Sequence, residues 1–364
     1  MQHTLKEVLE DAVVFNDGDW VESKDQDPDG DVRLVQLADV GDGYYVDKSS
    51  RFMTTARAKA LRCTFLEPGD LLVARMPDPL GRCCAFPGDE KPCVTVVDVC
   101  VIRPCQKKVF PRWLMHCINS PITRHKISGY ITGTTRQRIS RGNLGKVTVP
   151  LPPLSEQRRI AEILDRAEAL RAKRRAALAL LDELTQSIFL DMFGDPVSNP
   201  KGWEWCKLKN VLELITYGLT VRPKYVADGI PLISGKEIRS GIVDYENAAK
   251  ISQKDFDALS EKAKPTKHDL LFSKTGSIGH TAIIETDSPF ALAQNVARLT
   301  FAPKLVNYIY ALFYLRSGSI QALAKRSVRG NAVKDPQLGV MGDFPFALPP
   351  LQLQLEFAQR IDTL

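Results

Sequence analysis

An internal repeat of about 200 residues constrains the fold of this chain more than any other feature of its sequence. The motif Leu-Pro-Pro-Leu at 151–154 recurs at 348–351, which is 197 residues later. Three further pairs of segments match in the same order at offsets of 198 to 203 residues: Leu34-Val35 with Leu232-Ile233, Asp70–Arg75 with Asp269–Lys274, and Leu5–Glu10 with Leu208–Glu213. A period this long is too large for a solenoid, so the pattern indicates a tandem duplication of one domain-sized unit.

Each unit is predicted to begin with a strand-rich body. Short β-branched runs bounded by Gly, Pro and Asp predict strands. They are Val32–Val40, Leu71–Arg75 and Val94–Ile102 in the first unit, and Ile230–Ile233, Leu270–Ser273, Thr281–Ile284 and Val296–Phe301 in the second. A short amphipathic helix, a loop rich in Gly, Thr and Arg, and a final strand should follow; the helices are expected near Pro111–Asn119 and Leu305–Arg316, and the strands at Lys146–Val149 and Asp343–Ala347. The predicted fold class is therefore α+β in both units.

Residues 155–192 predict one long helix, because they contain no Gly or Pro and are rich in Ala, Leu, Glu and Arg. Ser155 can cap its start, and Gly194 and Pro196 can end it. At ~1.5 Å per residue such a rod is about 57 Å long. Apolar residues recur along it with coiled-coil spacing, interrupted by Arg174, and form a predicted pairing seam of Ile160, Ile163, Ala167, Leu170, Ala177, Leu181, Leu184 and Ile188. A rod of this length needs a second helix beside it.

The second unit is expected to end in an equivalent helix that is cut short. The chain stops at Leu364, soon after the second Pro-Pro pair. We therefore expect one long helix and the start of another, and an apolar seam that makes the isolated chain self-associate.

Acidic and basic residues are unevenly distributed along the chain, whose net charge is +6. Residues 99–155 contain ten Lys and Arg and no Asp or Glu, and residues 288–334 contain seven and none. The remainder of the chain therefore carries −11. Either segment alone is compatible with an ordinary solvated surface. Two such segments at equivalent places in a repeat favour a polyanion, such as nucleic acid, that is bound at two places.

The sequence predicts no membrane-spanning segment. Apolar runs stay well below the roughly 20 residues that a membrane span needs. The N-terminal residues include acids where a signal peptide has its apolar core. We therefore expect a cytoplasmic protein without a membrane partner.

Metal-binding and catalytic motifs are not found. Seven of the eight cysteines lie between Cys63 and Cys117, but no Cys-x-x-Cys pair occurs and the histidines do not complete a ligand set. Reduced cysteines that fill the core are expected instead. The sequence has no Asn/Asp-Pro-Pro-aromatic methyltransferase tetrad and no Walker lysine motif, and Asp19 with Glu22-Ser23-Lys24 is spaced too closely for a metal-nuclease site. No metal site and no catalytic residue is therefore predicted.

Taken together, the motifs resemble the specificity (S) subunit of type I restriction-modification systems. The resemblance rests on Pro150–Pro196, which is similar to that family's central conserved helix, on Asn199–Trp205, and on Thr132–Gln137 with Ile139. It implies target recognition domains at 1–150 and 197–347. It also implies a central helix at 151–196 that acts as a ruler between them, and the truncated start of a second conserved helix at 348–364.

The resemblance further implies a non-catalytic subunit that binds a bipartite site in double-stranded DNA. Two methyltransferase (M) subunits, which carry S-adenosylmethionine, are expected to dock on it, and endonuclease/translocase (R) subunits join for restriction. No cofactor is expected in this chain itself. Two alternatives stay open. The chain could be the recognition portion of a fused methyltransferase or endonuclease, or a coiled-coil assembly protein without a role on DNA.

Residues that contact DNA are expected among the Lys, Arg, Asn and Gln side chains of constrained loops, because these side chains bind phosphates and base edges. In the first unit the candidates are Arg75, Arg82, Arg124, Lys126, Arg136, Gln137, Arg138 and Arg141. In the second unit they are Lys236, Arg239, Lys274, Lys325, Arg326, Arg329, Asn331 and Lys334.

Overall fold

A computed structural model describes residues 2–133, 136–221, 223–239, 241–275, 278–328 and 338–364. It divides into two compact units, Met1–Arg174 and Arg175–Leu364. Both units combine helices with small sheets, so the predicted α+β class is confirmed.

The described residues of the first unit form nine strands in three sheets. The largest sheet is antiparallel with the order β2-β8-β5-β6, the second has the order β4-β3-β7 with β3 and β7 parallel, and β1 pairs with β9. The strands are β1 Gln2–Thr4, β2 Val14–Asp17, β3 Val32–Val35, β4 Phe52–Met53, β5 Leu71–Ala74, β6 Cys83–Ala85, β7 Cys93–Thr95, β8 Val99–Arg103 and β9 Thr148–Pro150. The helices are α1 Leu5–Val8, α2 Thr55–Ala60, α3 Pro111–Asn119, α4 Pro121–Ser128, α5 Arg141–Gly145 and the start of α6 Leu154–Phe193.

The second unit repeats this arrangement strand for strand. Its sheets have the orders β11-β19-β16-β17 and β15-β12-β18, and β10 pairs with β20. The strands are β10 Glu204–Lys207, β11 Leu212–Tyr217, β12 Ile230–Ile233, β13 Ile238–Arg239, β14 Ile242–Val243, β15 Ala249–Ile251, β16 Leu270–Ser273, β17 Thr281–Ile283, β18 Ala291–Leu292, β19 Val296–Phe301 and β20 Pro345–Leu348. The helices are α7 Gln253–Asp257, α8 Tyr308–Arg316, α9 Gly318–Val328, α10 Leu338–Gly342 and α11 Leu351–Asp362. The β13–β14 hairpin has no counterpart among the described strands of the first unit.

The four-stranded sheet of the first unit is buried on both faces, which explains its uninterrupted apolar strands. Cys100 and Ile102 of β8 pack in one core cluster with the helical layer, whereas Val99 and Val101 pack in another on the opposite face. The alternation follows from the two-residue period of a strand. Helix α3 completes the first cluster, and its Trp113 is almost fully buried.

The repeat extends to single hydrogen bonds. The buried Gln157 side chain accepts from the Phe110 main-chain nitrogen (2.8 Å) and donates to the carbonyl oxygens of Lys108 (3.1 Å) and Pro152 (2.9 Å). Gln354, 197 residues later, makes the equivalent three bonds with Asn307, Leu305 and Pro349, at 2.8, 3.1 and 2.9 Å. In the first unit this amide joins the start of α6 to the segment before α3. In the second unit it joins the start of α11 to the segment before α8.

The long helix is confirmed. It runs from Leu154 to Phe193, one residue longer at each end than predicted. It ends at Gly194, which has a φ of +78° that favours glycine. Gln157 and Ala161 are buried in the first unit, and Phe189 and Phe193 are buried in the second.

Several predicted strands are wrong in extent: the final strands Lys146–Val149 and Asp343–Ala347 begin two residues later than predicted, and two longer runs are interrupted by turns. The run Val32–Val40 forms a strand only to Val35, because the Asp39 carboxylate accepts from the Gln36 nitrogen (2.7 Å) and closes a 3₁₀ turn. The run Val94–Ile102 divides into β7 and β8, which belong to different sheets. The division occurs where the Val99 nitrogen donates to the Val96 carbonyl and closes a turn.

Candidate nucleic-acid interface

Three predicted candidates lie on one exposed turn of the first unit. Thr132 and Arg138 exchange main-chain hydrogen bonds of 2.9 and 3.0 Å, which close the turn at its base. Gly133 has a φ of +94°, and a Cβ there would lie 2.5 Å from the Arg136 carbonyl oxygen, so the turn requires glycine. Arg136, Gln137 and Arg138 are all exposed. The turn therefore presents two guanidinium groups and an amide to solvent.

Arg136 connects this turn to a groove in the same unit. It forms an ion pair with Asp98 (3.2 Å) but remains 71% exposed. Asp98 lines a groove of 710 Å³ whose wall includes the indole of Trp20, which is 69% exposed, and the amides of Gln26 and Gln36. The turn and the groove thus form one continuous surface, which we call the unit 1 face.

The unit 1 face can both donate and accept hydrogen bonds. Arg51 lines the groove and donates to the Gln26 side chain (3.5 Å). Asp19 and Glu22 supply carboxylates, and burial raises the pKa of Asp19. A surface with guanidinium, amide, carboxylate and indole groups has the chemistry that reads base edges.

A buried aspartate shapes the rim of this groove. Asp39 is fully buried, and its carboxylate accepts from the main-chain nitrogens of Gln36 (2.7 Å), Lys48 (2.7 Å) and Ser49 (2.6 Å) and from the Ser49 hydroxyl. Burial opposes ionisation, but these hydrogen bonds together lower the pKa of Asp39 below its usual value. The segment that carries Gln36 is therefore held in one conformation.

Arg75 and Arg82, which were predicted as DNA contacts, lie inside the first unit. Arg75 donates to the carbonyl oxygens of Ile139 and Val97, both at 2.9 Å. Arg82 donates to those of Val40 (2.5 Å), Pro79 (3.0 Å) and Leu37 (3.0 Å), and burial lowers its pKa. Both guanidinium groups tie loops of the domain together.

Three further candidates of the first unit are bound within the domain. The Arg124 guanidinium pairs with Asp42 (2.6 Å) and Asn119 (2.9 Å). The Lys126 ammonium donates to the carbonyl and hydroxyl oxygens of Thr148, both at 2.8 Å. Arg141 is exposed and donates to the carbonyl of Phe15 and the side chain of Asn16, both at 3.0 Å.

The candidates of the second unit divide in the same way. Lys236 and Arg239 are exposed, whereas Lys274 is buried with its ammonium 4.7 Å from the centre of the Tyr217 ring. Lys325 and Arg326 are exposed on α9. The remaining three, Arg329, Asn331 and Lys334, lie outside the described residues.

A pocket of 370 Å³ brings Arg239 together with residues that the sequence did not single out as contacts. Arg316, His280 and Gln321 line it with Arg239. Arg316 belongs to the acid-free segment 288–334, which could have indicated it. His280 follows a loop after β16, and no sequence pattern marks it. The same holds for Trp20, Gln26, Gln36 and Arg51 of the unit 1 face, which lie in an acidic stretch.

The predicted pairing seam of α6 is exposed along the middle of the helix. Ile163, Leu170, Leu181 and Leu184 are all exposed, and Leu170 is the most exposed of them at 67%. Towards the helix ends, Ile160 and Ile188 are partly buried against the core of their own unit. Ala167 is half-buried and Ala177 is exposed.

The cysteines are free thiols, and four of them are buried in the first unit: Cys83, Cys84, Cys93 and Cys100. Burial raises the pKa of Cys84, Cys93 and Cys100 to about 12, so these thiols are unreactive core residues. Within the described part of the chain, no group of His, Cys, Asp and Glu could hold a metal ion. No helix among the same residues is both long and apolar enough to cross a membrane.

Residues 70–179 and 200–364 match the family described as "Type I restriction modification DNA specificity domain". These two segments make up most of the sequence. The chain belongs to this specificity family. The matched segments include residues 132–138 and the two pocket arginines of the second unit, Arg239 and Arg316. The groove residues Trp20, Gln26, Gln36 and Arg51 lie outside them.

Relatives and solved structures agree with this assignment. The chain is 27% identical over 294 residues to the type I restriction enzyme EcoBI specificity subunit of Escherichia coli, covering 73% of this chain and 61% of that protein. The chain thus spans about three fifths of the length of the curated relatives that it matches first. The type I S subunit of M. genitalium has a similar fold, with 14% identity, a TM-score of 0.56 and coverage of 100% and 90%. A type I restriction-modification structure concerned with complex assembly has a TM-score of 0.50, with 20% identity and coverage of 100% and 89%.

Proposed function

We propose that this chain is the DNA-reading subunit of a type I restriction-modification complex and is itself non-catalytic. It binds a bipartite site in double-stranded DNA, and each unit reads one half-site. The observation that carries this proposal is the duplicated fold, which repeats the same sheet orders and the same buried glutamine contacts while its exposed loops differ. Two similar frames with different loops suit the reading of two different short sequences.

In the first unit, the unit 1 face is the proposed reading surface. Arg136 and Arg138 are placed to bind phosphates or the acceptor atoms of guanine, and Gln137 to bind adenine. The groove beside them supplies Gln26, Gln36 and the exposed Trp20 for base edges and for the thymine methyl group. In the second unit, Lys236, Arg239, Lys325 and Arg326 are the exposed candidates that remain.

The proposed partners are methyltransferase and endonuclease subunits. Two M subunits would carry the S-adenosylmethionine, and R subunits would join them for restriction. The exposed apolar seam of α6 supports a helical partner, because its leucines are left uncovered by the described residues of this chain. Cytoplasmic localisation goes with this role, since its substrate is DNA.

Charge reversal on the exposed turn tests the proposal. We expect Arg136→Glu with Arg138→Glu to weaken duplex binding by the assembled complex about 10- to 100-fold and to reduce its salt dependence. Lys59→Glu, on the exposed α2 of the same unit, is the matched control and should have little effect. Unchanged binding by the double variant would show that the turn does not contact DNA.

A further inference from the structure

The second unit contains a small pocket that is built from its insertion hairpin and its helical layer. Arg239 ends β13, Gly241 lies in the β13–β14 turn, and Arg316 ends α8. His280 and Gln321 complete the wall, and the pocket holds 370 Å³. It contains two guanidinium groups and, among its described lining residues, no carboxylate.

Two glycines let the polar side chains approach the pocket wall. Gly279 has a φ of +93°, and a Cβ there would lie 2.0 Å from the Gln321 side-chain oxygen. Gly241 has a φ of +87°, and a Cβ there would lie 3.3 Å from an Arg316 nitrogen. Gln321 in turn donates to the carbonyls of Gly279 and Leu315, both at 2.7 Å. The wall is therefore fixed in place by close contacts that other residues could not make.

His280 and Arg316 of the wall each contact a polar group of the same unit. The imidazole Nδ1 of His280 lies 2.9 Å from the Ile238 carbonyl oxygen. A carbonyl only accepts, so Nδ1 carries the hydrogen. Arg316 pairs with Asp182 (2.9 Å), an α6 carboxylate that is itself 59% exposed. An exposed carboxylate is a weak partner that a stronger anion can displace or join.

We infer that this pocket binds one phosphodiester group of the DNA backbone, held between Arg239 and Arg316. The inference rests on the proposed function and assigns it a phosphate-binding site in the second unit. A planar guanidinium group binds two phosphate oxygens at once, and two such groups line this pocket. The site positions the second unit on DNA and carries no sequence information.

Duplex binding by the full chain tests this assignment. The probe is a 40-bp duplex of random sequence, titrated between 50 and 200 mM salt. We expect Arg239→Ala and Arg316→Ala each to weaken binding about tenfold and to lower the slope of log affinity against log salt by about 0.9. The double variant should lose little more than either single variant, because both arginines serve one phosphate. Asp182→Asn should tighten binding, and Lys254→Ala, exposed on α7, should leave it unchanged.

The Asp182→Asn variant distinguishes two roles of Arg316. If Arg316 binds phosphate, removal of its carboxylate partner should tighten DNA binding. If Arg316 only stabilises the fold through the ion pair with Asp182, loss of that pair would not tighten DNA binding. Arg239 is exposed and provides a variant that keeps the fold if Arg316→Ala does not. Equal binding and equal slopes for wild type and variants would overturn the assignment. Calorimetric binding of inorganic phosphate that the variants lose, with duplex binding unchanged, would overturn it in favour of a free phosphate ligand. Failure of the wild-type complex to bind any duplex would instead contradict the proposed function itself.

Discussion

At the scale of single residues, the two buried glutamines show how the repeat is held together. A side-chain amide both accepts and donates hydrogen bonds, and Gln157 and Gln354 each accept one and donate two. No other side chain of similar size offers this combination at neutral charge. The glutamine therefore follows each Pro-Pro pair for a physical reason that the sequence motif alone does not reveal.

Removal of one of these amides should destabilise its unit. Gln354→Ala loses three hydrogen bonds and leaves the half-buried Asn307 nitrogen without its acceptor, so we expect a loss of about 2–4 kcal/mol in the free energy of unfolding. Urea-induced unfolding of the full chain measures it. Gln352→Ala, an exposed glutamine on the same helix, is the control and should change stability by less than about 0.5 kcal/mol. Equal effects of the two substitutions would refute the role of the buried amide.

The Asp39 carboxylate should make the first unit sensitive to acid. Its lowered pKa means that the folded state favours the charged form, so the stabilisation is present above the unfolded pKa of about 4 and is lost as the pH falls through the folded value. We expect Asp39→Asn to lower the melting temperature at pH 7 and to lower it much less near pH 3. A difference that stays constant across this range would contradict the account. Asp29→Asn, an exposed aspartate of the same unit, is the control.

The sequence could not predict which of the candidate arginine side chains are exposed and which are buried. Arg136 and Arg138, from an acid-free segment, are exposed, and their contact with DNA stays a prediction. Arg75 was also predicted as a contact, yet its donors are used by carbonyl groups 64 and 22 residues away. Only the tertiary fold decides whether a guanidinium group faces a loop or the solvent.

At the scale of elements, long and strongly patterned segments were predicted best. The helix α6 and the strands at Ile230–Ile233, Leu270–Ser273 and Val296–Phe301 match their predictions within a residue at each end. The run Val94–Ile102 did not, because a turn can interrupt a β-branched run without any Gly or Pro to mark it. Helix α4, Pro121–Ser128, follows α3 after a single residue, Ser120, and was missed because its apolar pattern is short.

The exposed seam of α6 predicts self-association of the isolated chain. Leu170 and Leu184 are exposed, and burial of each against a second helix is worth about 1.5–3 kcal/mol. We expect wild type to associate at micromolar concentration and Leu170→Lys with Leu184→Lys to weaken association at least about tenfold, as measured by analytical sedimentation. Leu190→Lys alters an exposed leucine that faces away from the seam and serves as the control. A well-behaved wild-type monomer would count against a pairing role for the seam.

At the scale of the whole molecule, the central feature is the duplication of one structural frame. The sheet orders agree strand for strand, and the differences are concentrated in loops and in the β13–β14 hairpin. The duplication could be predicted from the sequence because the core motifs recur at nearly constant offsets. The proposed reading surface of the first unit could not, since the groove beside Trp20 is assembled from short segments between residues 19 and 98.

The most direct test of a two-part reader is to map the methylated bases in DNA from cells that carry this chain with its methyltransferase subunit. We predict a split motif, in which two short specified sequences are separated by a gap of fixed length and unspecified sequence. Exchange of residues 1–150 for the equivalent domain of a relative should change one part of the motif and leave the other intact. A single uninterrupted motif would contradict the account.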